Sequence, residues 1–253
     1  MIAHLNDIKI HFEDHGEGKP LVLLHGLALN GSIWDEVVTL YSDQARFIVP
    51  DVRGHGKTKT GAANGSLEQF ADDLLALADY LKLETFTLAG HSMGGYVALV
   101  FAEKYPERLN GLIMVTSNAR SDTPEKQKSR QADAELAMSA GMAALSETMV
   151  QKYTAPVKLR QQIIPIIENT DPRGFANVQH AIAWRKNQLS QIKILDMPLL
   201  AIAGSDDQLM KPEVAYEMAH ASKSGSVVVL PGTGHLPMLE EPLTLGALMV
   251  SAL

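Results

Sequence analysis

Three groups of side chains, far apart in the sequence, have the types that acyl transfer needs. Ser92 stands in Gly90-His91-Ser92-Met93-Gly94, a serine flanked by glycines in the pattern G-x-S-x-G. A hydroxyl is a weak nucleophile until a neutral imidazole takes its proton, and that imidazole needs a carboxylate to hold its tautomer. His235, in Gly232-Thr233-Gly234-His235-Leu236-Pro237, is the histidine that comes late in the chain, directly after an apolar run. Asp206 and Asp207 follow Gly204-Ser205 and offer the acid. Successive side chains leaving a strand point to opposite sides, so one aspartate can meet His235 while the other caps the turn. The order Ser, acid, His is the one that accompanies this serine turn.

The flanking elements must present the serine. Thr85-Phe86-Thr87-Leu88-Ala89 reads as a short buried strand, and Tyr96 to Ala102 as an apolar helix. A strand-to-helix turn this sharp needs the two glycines, because a Cβ on either side would collide. The helix start aims free N–H groups and its positive dipole end at the place where an oxyanion would form. A second donor is expected in the loop after an early strand, Pro20 to Leu24, which leads into His25-Gly26-Leu27. The backbone N–H groups of Leu27 and Met93 are therefore the expected oxyanion hole. His25 is expected to order its loop rather than perform chemistry.

Strands and helices alternate along the chain. Ile8 to Phe12 alternates with period two, and Arg46 to Pro50, Gly111 to Val115, Pro198 to Ala203 and Ser226 to Leu230 are further strand candidates. Ser32 to Tyr41 looks helical. Ser66 with Gln69 starts a helix whose Leu67, Phe70, Ala71, Leu74, Ala78 and Leu81 share a face. The expected fold is α/β: a mostly parallel, doubly wound sheet of about eight strands with helices on both faces. Between Ser117 and about Leu195 the strands stop, while Glu125 to Leu145 and Val157 to Glu168 look helical. A stretch this long is a subdomain rather than a loop, entering and leaving over the carboxyl ends of strands, where ligands bind. The expected division is a core of residues 1–117 and 196–253 with a helical cap at 118–195. His25, Gly26, Met142 and Trp184 are expected to line the substrate pocket.

Composition narrows the partners. The chain has 253 residues, 46% of them hydrophobic, and a net charge of −7. That length buries a large core, and the acidic balance argues against nucleic acid. Cysteine is absent, which removes disulfides, thiolate nucleophiles and cysteine-held metals. No basic start followed by an apolar run marks an export signal, and no stretch approaches the ~18 apolar residues of a membrane span. The expectations are a cytoplasmic monomer or homodimer with no cofactor, no metal and no membrane or nucleic-acid partner, acting on a small-molecule ester or lactone.

Taken together, His25-Gly26 with Trp34-Asp35, Asp51-Val52-Arg53-Gly54-His55-Gly56, the serine turn, Gly204-x-x-Asp207 and Gly234-His235 resemble the α/β-hydrolase fold family, in its compact, capped serine esterase and lactonase branch. The resemblance implies Asp207 as the acid, three residues after the glycine that ends its strand, and a structural turn at Asp51 to Gly56. It implies cleavage of small carboxylic esters, with a preference for short acyl chains, through an acyl-enzyme on Ser92. Relatives that open epoxides or displace halides carry aspartate at the turn, so serine argues against both. Gly141 to Leu145 and Thr170 to Phe175 resemble the caps of 3-oxoadipate enol-lactonases, although the His25-Gly26 pair departs from them. Between Ala119 and Ser190 there are ten Lys and Arg against seven Asp and Glu, in an otherwise acidic chain. Such a surface would suit an anionic lactone, but a solvated helical face is the commoner meaning of such a charge balance. The alternatives carried forward are such a lactonase, a hydrolase of carbon–carbon bonds, and a small-molecule receptor with vestigial hydrolysis. In the last, Met138, Met142, Met149, Phe175 and Trp184 would line a pocket.

Overall fold

The computed structural model describes residues 1–61, 65–153 and 156–253. Among these, the strands are β1 (Ile2–Leu5), β2 (Ile8–His15), β3 (Pro20–Leu24), β4 (Arg46–Pro50), β5 (Phe86–His91), β6 (Leu109–Val115), β7 (Leu199–Gly204) and β8 (Gly225–Leu230). They form one sheet in the order β1-β2-β4-β3-β5-β6-β7-β8. The β1–β2 and β2–β4 pairs are antiparallel; every pair from β4 to β8 is parallel. β1 is a strand that the alternation along the chain did not mark. It pairs with β2 across Asn6-Asp7, where Asn6 takes a positive φ of 52°.

The central strands are mostly apolar because both faces are covered. Leu21 and Leu23 of β3 join one core cluster and Val22 and Leu24 the other, as the two-residue period of a strand requires. On one face lie α2 (Leu67–Tyr80) and α3 (Met93–Lys104); the opposite face carries α1 (Asp35–Tyr41). Ser66 caps α2 by accepting from Gln69 N at 3.1 Å, the expected start.

Five helices lie between β6 and β7: α4 (Pro124–Ala140), α5 (Ala143–Lys152), α6 (Val157–Glu168), α7 (Pro172–Ala183) and α8 (Leu189–Ile192). The helical run anticipated over Glu125 to Leu145 is two helices, broken at Gly141 with φ +79°. After β7 come α9 (Pro212–Ala221), then β8, then α10 (Pro237–Glu240) and α11 (Pro242–Ser251), which packs on α1. The insertion is tied to loops at the carboxyl ends of strands. Tyr153 Oη donates to the Leu27 carbonyl (2.9 Å) and Thr170 Oγ1 to the Ala28 carbonyl (3.3 Å), both in the loop after β3. After β4, Thr60 Oγ1 donates to Asp171 Oδ2 at 2.7 Å.

Candidate active site

Ser92 sits between β5 and α3 with φ +50° and ψ −110°, a region that an L-residue occupies only under strain of about 1–3 kcal/mol. The turn closes that tightly because its glycines leave room. A Cβ on Gly90 would lie 2.4 Å from the Gly94 backbone, and one on Gly94 would lie 2.6 Å from the Leu24 carbonyl. Ser92 N donates to the Val115 carbonyl (3.0 Å), and Ser117 Oγ donates to the Ser92 carbonyl (2.7 Å), so the strained residue is anchored to β6. Its side chain is partly exposed, and among the described residues its hydroxyl has no hydrogen-bond partner.

His235 and Asp207 are both buried, and His235 Nδ1 lies 2.7 Å from Asp207 Oδ2. Asp207 Oδ1 accepts from Leu209 N (2.7 Å) and Met210 N (3.0 Å). With its second oxygen held by backbone, the first is aimed at the imidazole and fixes its proton on Nδ1, leaving Nε2 able to accept a proton. Asp206 points elsewhere. Its Oδ1 accepts from Ser205 Oγ at 2.7 Å on the exposed side of the turn.

The backbone of the His235 loop is restrained at three successive residues. Glu240 accepts from Gly234 N (2.8 Å) and Leu236 N (3.0 Å), one carboxylate oxygen to each side. Burial pushes the Glu240 carboxyl upward, against the pull of those two N–H groups. The His235 carbonyl accepts from Thr116 Oγ1 (3.1 Å) and lies 2.9 Å from His91 Nε2. Burial, reinforced by nearby His235, holds His91 well below the usual histidine range, so the ring is neutral and donates through Nε2. Glu240, His91 and Tyr153 were not among the expected site residues. No motif marks Glu240, because it acts on backbone groups that any residue supplies, nor Tyr153, which reaches the His235 loop from the end of α5.

The expected oxyanion donors stand in suitable loops. Met93 N opens α3 and Leu27 N lies just past β3; neither has an acceptor among the described residues. Leu27 N–H is oriented through the preceding peptide. Val52 N donates to His25 Nε2 (2.9 Å), so His25 carries its proton on Nδ1 and donates to the Gly26 carbonyl at 2.8 Å. Leu29 N donates to the same carbonyl. In a planar trans peptide the N–H opposes the C=O, so pinning the Gly26 carbonyl turns Leu27 N–H the other way.

Three expected pocket residues are corrected by these contacts. His25 is fully buried with both ring nitrogens engaged by backbone, and burial lowers its pKa; it orders the loop and offers nothing to a substrate. Met142 is packed among apolar residues at the start of α5, in a cluster shared with Tyr153, Leu236 and Met238. Trp184 is 75% exposed at the end of α7. It borders a 310 Å³ groove with Tyr96, Asn118, His180 and Arg185, whose lining includes neither Ser92 nor His235. Gly26 does lie in the site loop, against the His91 ring. Of the ten basic residues between Ala119 and Ser190, Arg130 and Arg185 share Asp122, and Arg120 pairs with Glu217 of α9. The Asp51-to-Gly56 turn is structural, with Asp51 accepting from Gly31 N and Lys57 N and Arg53 pairing with Asp7 and Asp73.

A strained serine after a central strand, and a buried His–Asp pair whose loop is tied through the His235 carbonyl to His91 of that strand, invite comparison with known hydrolases. A family model for the alpha/beta hydrolase fold matches residues 19–242. The chain belongs to that family. A thermophilic esterase from Thermogutta terrifontis, solved with malate bound, superposes with a TM-score of 0.95 at 31% identity, covering 99% of this chain and 97% of that one. The enol-lactonase from Burkholderia xenovorans LB400 superposes at 0.92 with 26% identity, over 99% and 98% of the two chains. In sequence, the (E)-2-((N-methylformamido)methylene)succinate hydrolase of Acinetobacter baylyi is 26% identical over 94% of this chain and 91% of its own. The chain is thus an alpha/beta hydrolase with esterase and enol-lactonase relatives, and no helix among its described residues is long and apolar enough to cross a membrane.

Proposed function

We propose that this hydrolase cleaves carboxylic esters of small molecules through an acyl-enzyme on Ser92. The observation that carries the reading is the buried 2.7 Å contact between His235 Nδ1 and Asp207 Oδ2, in a chain whose serine turn holds Ser92 at φ +50°. His235 Nε2 takes the Ser92 proton as the hydroxyl attacks the ester carbonyl, and the Leu27 and Met93 N–H groups bind the oxyanion. Collapse of that intermediate expels the alcohol, which leaves with the proton from His235. Water, deprotonated by the same imidazole, then releases the acid. The unpartnered Ser92 hydroxyl fits this cycle, since such contacts commonly tighten only with substrate bound. The insertion serves as a cap at residues 118–195, over the loops that carry these groups.

Cleavage of a lactone, a cyclic ester, uses the same steps and is the second reading, favoured by the enol-lactonase likeness. A panel of p-nitrophenyl esters of increasing acyl length, run beside lactones and a diketone, separates ester, lactone and carbon–carbon chemistry. Short acyl chains are the expected optimum. Ser92→Ala should reduce turnover by more than about a hundredfold while the far-ultraviolet spectrum stays unchanged. Turnover above a hundredth of the parent in that variant would remove Ser92 from the mechanism.

A further inference from the structure

Tyr153, at the end of α5, makes three contacts that no other residue of the insertion combines among those described. Its ring stacks on the His235 imidazole with centroids 5.5 Å apart and planes 21° from parallel. Its carbonyl accepts from His235 N at 3.3 Å. Its hydroxyl donates to the Leu27 carbonyl at 2.9 Å. One rigid phenol therefore touches the residue proposed as base at one end and the residue proposed as oxyanion donor at the other.

We propose that Tyr153 is a positioning residue that sets the plane of the His235 ring and the orientation of the oxyanion loop together, so that the insertion completes the catalytic array. This rests on the reading of Ser92, His235 and Leu27 given above. The geometry of the loop supports it. The Gly26 carbonyl is pinned by His25 and Leu29, and the Leu27 carbonyl by Tyr153, so the peptide planes on both sides of Leu27 are fixed. Two fixed planes leave its N–H little freedom to swing away from a developing charge. On the other side, Asp207 holds one ring nitrogen of His235, and the His91 ring packs against the imidazole with centroids 4.9 Å apart and planes at 56°. The stacked face of Tyr153 restrains the ring further. Tyr153 is 6% exposed, and burial raises its pKa, so the hydroxyl stays a neutral donor at working pH.

The two contacts separate by substitution. Tyr153→Phe keeps the stacked ring and loses the bond to Leu27; Tyr153→Leu loses both. Turnover of p-nitrophenyl acetate should fall about tenfold in the Phe variant and about a hundredfold in the Leu variant, with KM changed by no more than about twofold. A boronic acid, which adds to the serine as a tetrahedral anion, should lose affinity in the same order without any turnover being required. A residue that only held the fold together would lower the melting temperature and leave kcat per folded molecule unchanged. Parental kcat and parental boronate affinity in Tyr153→Phe would overturn the proposal, and that variant alone decides if Tyr153→Leu does not fold. Ser92→Ala keeps the two readings apart. If it retains turnover, the function reading fails; if it is dead while Tyr153→Phe is fully active, only the role of Tyr153 fails.

Discussion

The two adjacent aspartates test the site at the level of single side chains. Asp207→Asn retains the shape but offers His235 an amide, which favours the wrong tautomer, and kcat should drop by roughly four orders of magnitude. Asp206→Asn should cost little, because its carboxylate only accepts from Ser205 on the exposed side of the turn. Steady-state kinetics of the two variants decides between them, and a crippled Asp206→Asn would shift the register by one. Alternation along a strand separated the two aspartates without choosing between them; the resemblance pointed to Asp207, the one whose Oδ2 lies 2.7 Å from His235 Nδ1. Ser92 was legible because a bent turn needs glycines at fixed offsets. Glu240 was not, since it grips the N–H groups of Gly234 and Leu236, and backbone groups leave no trace in residue type. His25 orders its loop, as its place after β3 suggested, and its burial and two backbone bonds take both ring nitrogens out of reach of a substrate.

Strands and helices were legible to the extent that they carry their own period. The parallel strands are continuous apolar runs and were bounded to within about two residues. β1 was not, because its signal lies in the Asn6-Asp7 turn that folds it back on β2 rather than in the strand itself. Glu125 to Leu145 reads as one helix by composition, yet Gly141 divides it at φ +79°, ψ 172°, where only glycine is comfortable. Nothing lies within 4 Å of a Cβ placed there, so Gly141→Ala isolates backbone strain from crowding. The substitution should lower stability by about 1–3 kcal/mol, measured by urea titration. An unchanged midpoint would mean that the junction between α4 and α5 relaxes into an ordinary helical turn.

The molecule as a whole should be sensitive to acid, because several histidines are buried in the neutral state. Burial, with His25 nearby, pushes His55 down to about 3 from an ordinary 6.5, and His25 and His91 are lowered for the same first reason. The unfolded chain binds these protons before the folded one does. Stability is therefore complete above about pH 6.5 and drains away as pH falls toward 3. For His55 alone the loss at pH 5 is about 2 kcal/mol. Melting temperatures between pH 7 and pH 5 should fall, and fall less in His55→Gln relative to that variant's own value at pH 7.

Acid stress would also reach the insertion and the sheet together. The ties from Tyr153, Thr170 and Asp171 join α5, α6 and α7 to the loops after β3, β4 and β8. They lie at separate points along the insertion, so no single connection acts as an axis about which it could swing. Among the described residues the insertion is thus held to the sheet's loops at several places, and losing one tie leaves the others to hold it.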